Sequence, residues 1–343
     1  MTSLPLSPHT ASQLLLHKLP SKRMRAVITQ RFGLKGKKKT LELIGKEYKI
    51  TRERVRQIEQ EAFAHLYKDE VLAHVEPLAV LVENMLLAHG GVMAQHHLFS
   101  SLTDPAEYTH LFFVLRANLR LYYLEETKMH YQGWASDREK AHHAVDTLHQ
   151  MVRILSEKQT PHDFKEMHTL LCSLQKEAEI SWTPEASEAL LAFSKRIRTN
   201  PYGEYGLAEW PSISPSGMRE KAFIALAKTD QPLHFREVAT AIDRAGWSKR
   251  PAHPQTVHNE LIKDSRFVLV GRGTYGLREW GYEPGHVRDI LLTVLRQAAH
   301  PLSREEIVEL VLARRMVKVP TILLNLQDKT LFQKTPEEKY TLA

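Results

Sequence analysis

The chain has little of what extracellular, membrane and metal-bound proteins rely on. Its 343 residues include a single cysteine, Cys172, so no disulfide can close within it, which suits a reducing cytoplasm. One thiolate cannot build a structural zinc site, and the 19 histidines include no H-E-x-x-H arrangement. The adjacent pairs His96-His97 and His142-His143 are expected to point to different faces of a helix and to chelate poorly. No apolar run approaches the roughly 18 residues of a membrane span. No G-x-S-x-G, P-loop or Cys–His signature is present, nor paired carboxylates with a lysine at nuclease-like spacing. The expectation is a non-enzyme with no cofactor and no metal. The amino terminus, MTSLPLSPHTASQLLLHKLP, has no basic stretch ahead of its short apolar run and no cleavage site. Residues 1–20 are expected to be a tail or leader strand rather than a signal peptide.

What the chain does have is charge with a location. Residues 22–68 hold 14 Lys and Arg against five Glu, a balance of +9 within a total of +7. Residues 69–218 carry 12 basic against 20 acidic residues, 219–282 carry 11 against 7, and the remainder is nearly neutral. A polyanion would be drawn to the first segment, weakly to the third, and repelled by the second.

Three helices are expected in the basic segment. The first starts after Ser21 as N-cap and stops at Gly33, and the second starts at Thr40 with Leu41, Ile44 and Tyr48 at helical spacing. The third is capped by Thr51 and carries Val55, Ile58, Ala62, Phe63 and Leu66 as an apolar stripe. Its other face presents Arg52, Glu53, Arg56, Gln57 and Gln60, with Arg54 on the flank. Two helices joined by a short link, the second armed in this way, make a helix-turn-helix. The residue types suit base reading: arginine grips guanine bidentately, glutamine pairs with adenine, and glutamate accepts from cytosine.

RFGL followed by TLELIGKEYKITRERVRQIE resembles region four of the sigma-70 family of bacterial initiation factors. The resemblance spans about residues 20–68. It implies a head that reads −35-like duplex DNA and docks on the β-subunit flap of core RNA polymerase. By that similarity Arg52, Glu53, Arg56 and Gln57 would face bases, with Arg54 beside them or on the backbone. Arg31, Thr40 and the Leu41 amide would hold phosphates. Two departures stand out. Glu61 occupies a position where the family commonly has lysine, and the loop KGKKK is shorter and more basic, so Lys37, Lys38 and Lys39 are expected on the DNA backbone. Nothing resembles the aromatic DNA-melting region of a sigma factor.

The remaining residues repeat. KQTPHDFKEM, DQPLHFREVA and AHPLSREEIV share a turn, a proline and an amphipathic start, and AHGGVMAQHHL fits the same slot. Each follows a long apolar-periodic helix and ends near a hairpin, such as YGEYGLAEW or TYGLREW. The expected fold is mainly α: a helix-turn-helix head at 21–68, then tandem winged helices (α+β, small hairpins) at 69–136, 137–212, 213–283 and 284–343. The third copy resembles the HARE-HTH domain of the bacterial polymerase delta subunit and of chromatin and restriction proteins, through PLHFREVATAI, TVHNELIKD and FVLVGRGTYGLREWGY. Its His258, Asn259, Lys263 and Arg272 form a candidate second surface for nucleic acid or a partner protein. GRGTYG satisfies G-x-G-x-x-G, yet a strand follows it, so a wing turn is expected there and not a nucleotide site. Trp134, Trp210 and Trp280 recur at hairpin ends, where core anchoring is expected.

These readings converge on a DNA-binding transcription factor, cytoplasmic and nucleoid-associated, expected to be a monomer. The alternative is a delta-like polymerase accessory subunit working through protein contacts.

Overall fold

The computed structural model describes residues 4–174, 182–315 and 317–343. They form two compact units, one of residues 1–199 and 203–209, the other of residues 200–202 and 210–343. The architecture is mainly α, with small antiparallel sheets.

The amino terminus departs from expectation. Residues Pro8–Lys18 form helix α1, not a tail or strand, with the Ser7 hydroxyl accepting from the Thr10 N–H and Pro8 in the first turn. The Ser-Pro pair that suggests irregular chain is here a helix start, because proline presets the first-turn dihedral and its missing N–H needs no partner there. Ala11, Leu15, Leu16 and Leu19 are buried along α8 (Tyr108–Arg116). Buried Ser12 Oγ lies 2.7 Å from His110 Nδ1 of α8.

Helices α2 (Lys22–Phe32), α3 (Leu41–Tyr48) and α4 (Arg52–Leu66) have the expected caps, Ser21, Thr40 and Thr51, and Gly33 ends α2 in the left-handed region. Val27, Ile44, Val55 and Ile58 form their common core. The α3–α4 link is tight enough to require glycine at 45, where a Cβ would lie 2.7 Å from the Ile50 carbonyl oxygen. Farther along α4, Ala62 and Leu66 leave that cluster and join Ile28, Phe32, Leu78, Leu98 and Phe113 in a larger core. The head and the first repeat are thus one packed body, with Phe32, Phe63, Phe112 and Phe113 meeting at ring separations of 5.1–6.4 Å.

After the short α5 (Asp69–Leu72), the order helix, strand, helix, helix, hairpin recurs four times. The first repeat comprises α6 (Glu76–Ala88), β1 (Val92–Ala94), α7 (Gln95–Leu102), α8, β2 (Tyr122–Leu124) and β3 (Gly133–Ala135), with sheet order β1-β3-β2. The second comprises α9 (Arg138–Lys158), α10 (Phe164–Ser173), α11 (Pro184–Phe193), β4 (Ile197–Thr199) and β5 (Tyr205–Leu207), a His162–Tyr205 bridge replacing the first strand. The third has α12 (Met218–Thr229), β6 (Leu233–His234), α13 (Phe235–Ala245), α14 (Pro254–Lys263), β7 (Phe267–Gly271) and β8 (Thr274–Leu277), in the order β6-β8-β7. The fourth has α15 (Val287–Ala298), α16 (Arg304–Leu312), α17 (Val319–Asn325), β9 (Phe332–Lys334) and β10 (Tyr340–Leu342), with a Leu302–Tyr340 bridge. This is winged-helix topology four times over. GRGTYG spans the β7–β8 turn, as expected of a wing. Trp134 is fully buried, while Trp210 and Trp280 are half-buried.

The rings of His96 and His97 do not diverge. They meet edge to face at 4.2 Å. Both lie in the first turn of α7, where no preceding turn restricts the rotamers.

Because α4 serves two cores, Leu66→Ala is expected to cost about 2–5 kcal/mol and to lower amide exchange protection in α4 and α8 together. Loss confined to α4 would contradict a shared core. A pH dependence follows from His110, whose burial pushes its pKa below the ordinary 6.5, an effect burial also has on His96 and His130 in the same unit. The unfolded chain therefore takes up protons first as pH falls below 6.5, so stability is retained above that pH and declines beneath it. His110→Gln is expected to make this decline shallower in thermal melts across pH 5–8.

Candidate nucleic-acid interface

The amino-terminal end of α4 stands clear of the core. Thr51 Oγ1 accepts from the Arg54 N–H at 3.1 Å, while Val55 and Ile58 anchor the underside. Arg52, Glu53, Arg54, Arg56 and Gln57 are all exposed. Four of these five side chains are paired with one another or along the helix. Arg56 donates to both Glu53 oxygens, Nε at 2.9 and 3.1 Å and Nη2 at 2.5 Å. The Arg56 hydrogen bonds hold the Glu53 carboxyl below its usual range, and the Arg56 pKa is raised in return. Arg54 donates to Gln57 Oε1 at 3.1 Å and to Glu61 at 3.3 Å, so the acidic Glu61 has a local partner. Arg52 has no ion pair among the described residues. It lines a cleft of about 330 Å³ with Arg31, Thr40, Leu41 and Glu42.

That cleft brings together the residues expected on phosphates. Thr40 Oγ1 accepts from the Leu43 N–H at 3.3 Å. The Leu41 and Glu42 N–H groups, in the first turn of α3, have no intrahelical acceptor and carry the positive end of its dipole. Arg31 sits 3.4 Å from Glu59 of α4. Glu42 bonds Lys46 of its own helix at 2.8 Å, which lowers the Glu42 pKa.

The three loop lysines separate. Lys37 is exposed and makes no ion pair among the described residues. Lys38 lies 5.9 Å from the Phe112 ring centroid, over the first repeat. Lys39 donates to Glu47 at 2.7 Å. Only a tertiary partner distinguishes them, and nothing in KGKKK indicates it.

In each winged repeat the third helix occupies the position that enters a groove in DNA-binding members of this topology. In the first repeat it does not: α8 is covered by α1 and α2, with Leu111, Phe113, Val114 and Leu115 buried. In the second, α11 packs on β1, with Ala186 set against Gly90 and Phe193 against Gly133. In the third, α14 exposes Asn259 and Lys263, and Arg272 stands at the wing tip. His258 is not available there, because its ring stacks on Phe235 at 4.5 Å and meets Tyr275 at 5.8 Å. Asn259 accepts from Gln255 at 3.3 Å, and Lys263 lies 3.6 Å from Glu260. Arg219 and Arg266 are tied to Glu260 and Asp264, which reduces the cationic surface of this copy. The expected second surface thus shrinks to Asn259, Lys263 and Arg272.

Among the described residues no group of three or more His, Cys, Asp or Glu side chains could hold a metal ion, and no helix is long and apolar enough to cross a membrane.

Comparison with known families meets this geometry at both places. The family model for sigma-70, region 4 matches residues 15–68, starting within α1. The model for HARE-HTH, a restriction endonuclease HTH domain by its description, matches residues 217–280, the third winged repeat. No curated protein matches the chain. The chain therefore carries a sigma-70 region-four helix-turn-helix and a HARE-HTH winged helix, both of them DNA-binding types, in one polypeptide.

Proposed function

We propose that the protein is a transcription factor whose α4 reads a −35-like duplex element while the α3 cleft fixes the register on phosphates. Supporting this reading above all is the convergence of unpaired Arg52 with Arg31, Thr40 and the α3 amino terminus in one cleft beside the exposed end of α4. Base edges are read by Arg52, Glu53, Arg56 and Gln57, and the backbone is held by Arg31, Lys37, Thr40, the Leu41 amide and Arg54. Glu53 and Arg56 approach DNA as a pre-formed pair, which favours a cytosine acceptor and a guanine donor side by side. A cytoplasmic, nucleoid-associated location, a monomeric state and docking of the head on the β-flap of core polymerase belong to the same reading.

A second reading, a polymerase accessory subunit acting through protein contacts, is favoured by exposed apolar side chains in the last two repeats. Ile262 is 63% exposed and Leu324 66%. The two readings separate in a nuclease-treated pull-down of core polymerase with the full chain, residues 1–209 and residues 210–343. A cut at residue 68 would uncover Ile28, Phe32, Ala62 and Leu66, so the first fragment keeps the whole unit. Polymerase retained by residues 1–209 supports the initiation-factor reading. Retention by residues 210–343 alone supports the accessory reading.

On selected promoter duplexes, Arg52→Ala is expected to weaken preferred-site binding on the order of 10- to 100-fold and to erase preference over random sequence. Lys37→Ala should weaken both equally and reduce the slope of log K against log salt by about 0.9. Equal losses on both sequences for Arg52→Ala would remove it from the base-reading set.

A further inference from the structure

We propose that the outer side of α2 and the α2–α3 loop form a second phosphate-backbone site, distinct from the cleft beside α4. It rests on the reading of the head as a DNA-binding element. A groove of about 550 Å³ there is lined by Arg25, Thr29, Gln30, Lys35, Lys37 and Lys39, with no acidic residue on its walls. Lys39 and Gln30 both donate to Glu47, at 2.7 and 3.2 Å, and so make a fixed wall. Arg25, Lys35 and Lys37 have no ion-pair partner among the described residues, and Arg25 Nε is buried without a hydrogen bond.

The loop is preorganised. Its Leu34 and Lys39 N–H groups donate to the Thr29 and Gln30 carbonyls at 3.0 and 2.9 Å. Gly33 has φ +73, and a Cβ there would lie 2.8 Å from the Lys38 nitrogen, so the tight crossing admits no larger residue without a shift. Cations fixed in advance lose little on binding.

The groove lies on the far side of α2 from the reading cleft. At 3.6 residues per turn, Arg25, Ala26, Thr29 and Gln30 share one half of the circumference, and Arg31 lies about 170° from their centre. The phosphates taken here are therefore not those held by Arg31. The chemistry of the walls selects the ligand. Protein partners bring aromatic or aliphatic anchors, and Ala26 is the one apolar side chain in the lining. Single strands are held by stacking, and the lining includes no aromatic ring. What remains is duplex backbone, read through phosphates alone and blind to sequence. It can come from DNA flanking the site that α4 reads, curved round the head, or from a second duplex.

The test uses the full chain and fluorescence anisotropy across salt concentrations. One duplex spans roughly one and a half helical turns and the other roughly four, each holding the preferred site. Arg25→Gln with Lys35→Gln is expected to flatten the slope of log K against log salt by about 1.8, at roughly 0.9 per lost phosphate, with the ratio of preferred to random sequence unchanged. Lys35→Gln alone, at an exposed position, should give about half that shift and covers the case in which Arg25→Gln does not fold. Flattening on the long duplex only assigns the groove to flanking DNA. A second bound equivalent of the short duplex, lost in the double variant, assigns it to a separate duplex. Unchanged slopes on both lengths, with Arg52→Ala still losing preference, overturn the groove and leave the reading of α4 standing. If Arg52→Ala also has no effect, the DNA reading of the head falls with it.

Discussion

The packing of α4 on two sides is the constraint on which the rest of the structure depends. Its first half is held down by Val55 and Ile58 among the helix-turn-helix residues, and its second half by Ala62 and Leu66 in the core of the first repeat. Burying a branched aliphatic side chain contributes about 1.5–3 kcal/mol. Two such anchors at each end fix the helix against rotation as well as lifting. A thin apolar face is then sufficient, and the remaining circumference is released for polar side chains that contribute nothing to the core. The aromatic contacts among Phe32, Phe63, Phe112 and Phe113 lie at this junction and transmit the orientation of the first repeat to α4.

The same division between anchoring and exposure explains the repeats. A winged helix has one strongly exposed element, its third helix, and the first two copies use it for assembly: α8 beneath α1 and α2, α11 upon β1. Apolar composition follows that use, since YTHLFFVLR and PEASEALLAF carry little to offer a groove. The negative charge of residues 69–218 is compatible with it too, because a mounting module has no phosphate to meet. In the third copy α14 keeps Asn259 and Lys263 outward and belongs to the stretch that the HARE-HTH model matches.

Much of this was legible in the sequence wherever the signal is local. Ser21, Gly33, Thr40 and Thr51 act within one turn of themselves, so the helix bounds in the head could be read directly. The wing turn at Arg272-Gly273 and the recurrence of the repeat slots are likewise short-range patterns. What stayed hidden depends on partners far along the chain. Helix α1 needs α8, about a hundred residues away, and its proline start resembles irregular chain. Lys38 is set apart from Lys37 by Phe112, and His258 turns inward because Phe235 and Tyr275 offer it two ring contacts. Arg25 and Lys35 carry no local signal, because the groove exists only once the loop folds back over α2.

Electrostatics adds a division of labour that residue counts conceal. A balance of +9 over residues 22–68 suggests a uniformly sticky head. Pairing redistributes it: Arg56 to Glu53, Arg54 to Glu61, Lys46 to Glu42, Lys39 to Glu47. The base-facing set becomes nearly self-neutralised, and the uncompensated cations collect at Arg52, Lys35, Lys37 and Arg25. An exposed pair of this kind contributes little to folding, since water and salt screen it and two long side chains must be ordered to make it. Its value lies in restraint. Paired guanidinium groups offer less to random phosphate, while a base with the right donor and acceptor can still exchange partners with them. Non-specific attraction is thereby carried by residues away from the reading edge, which lets sequence preference and general affinity change independently.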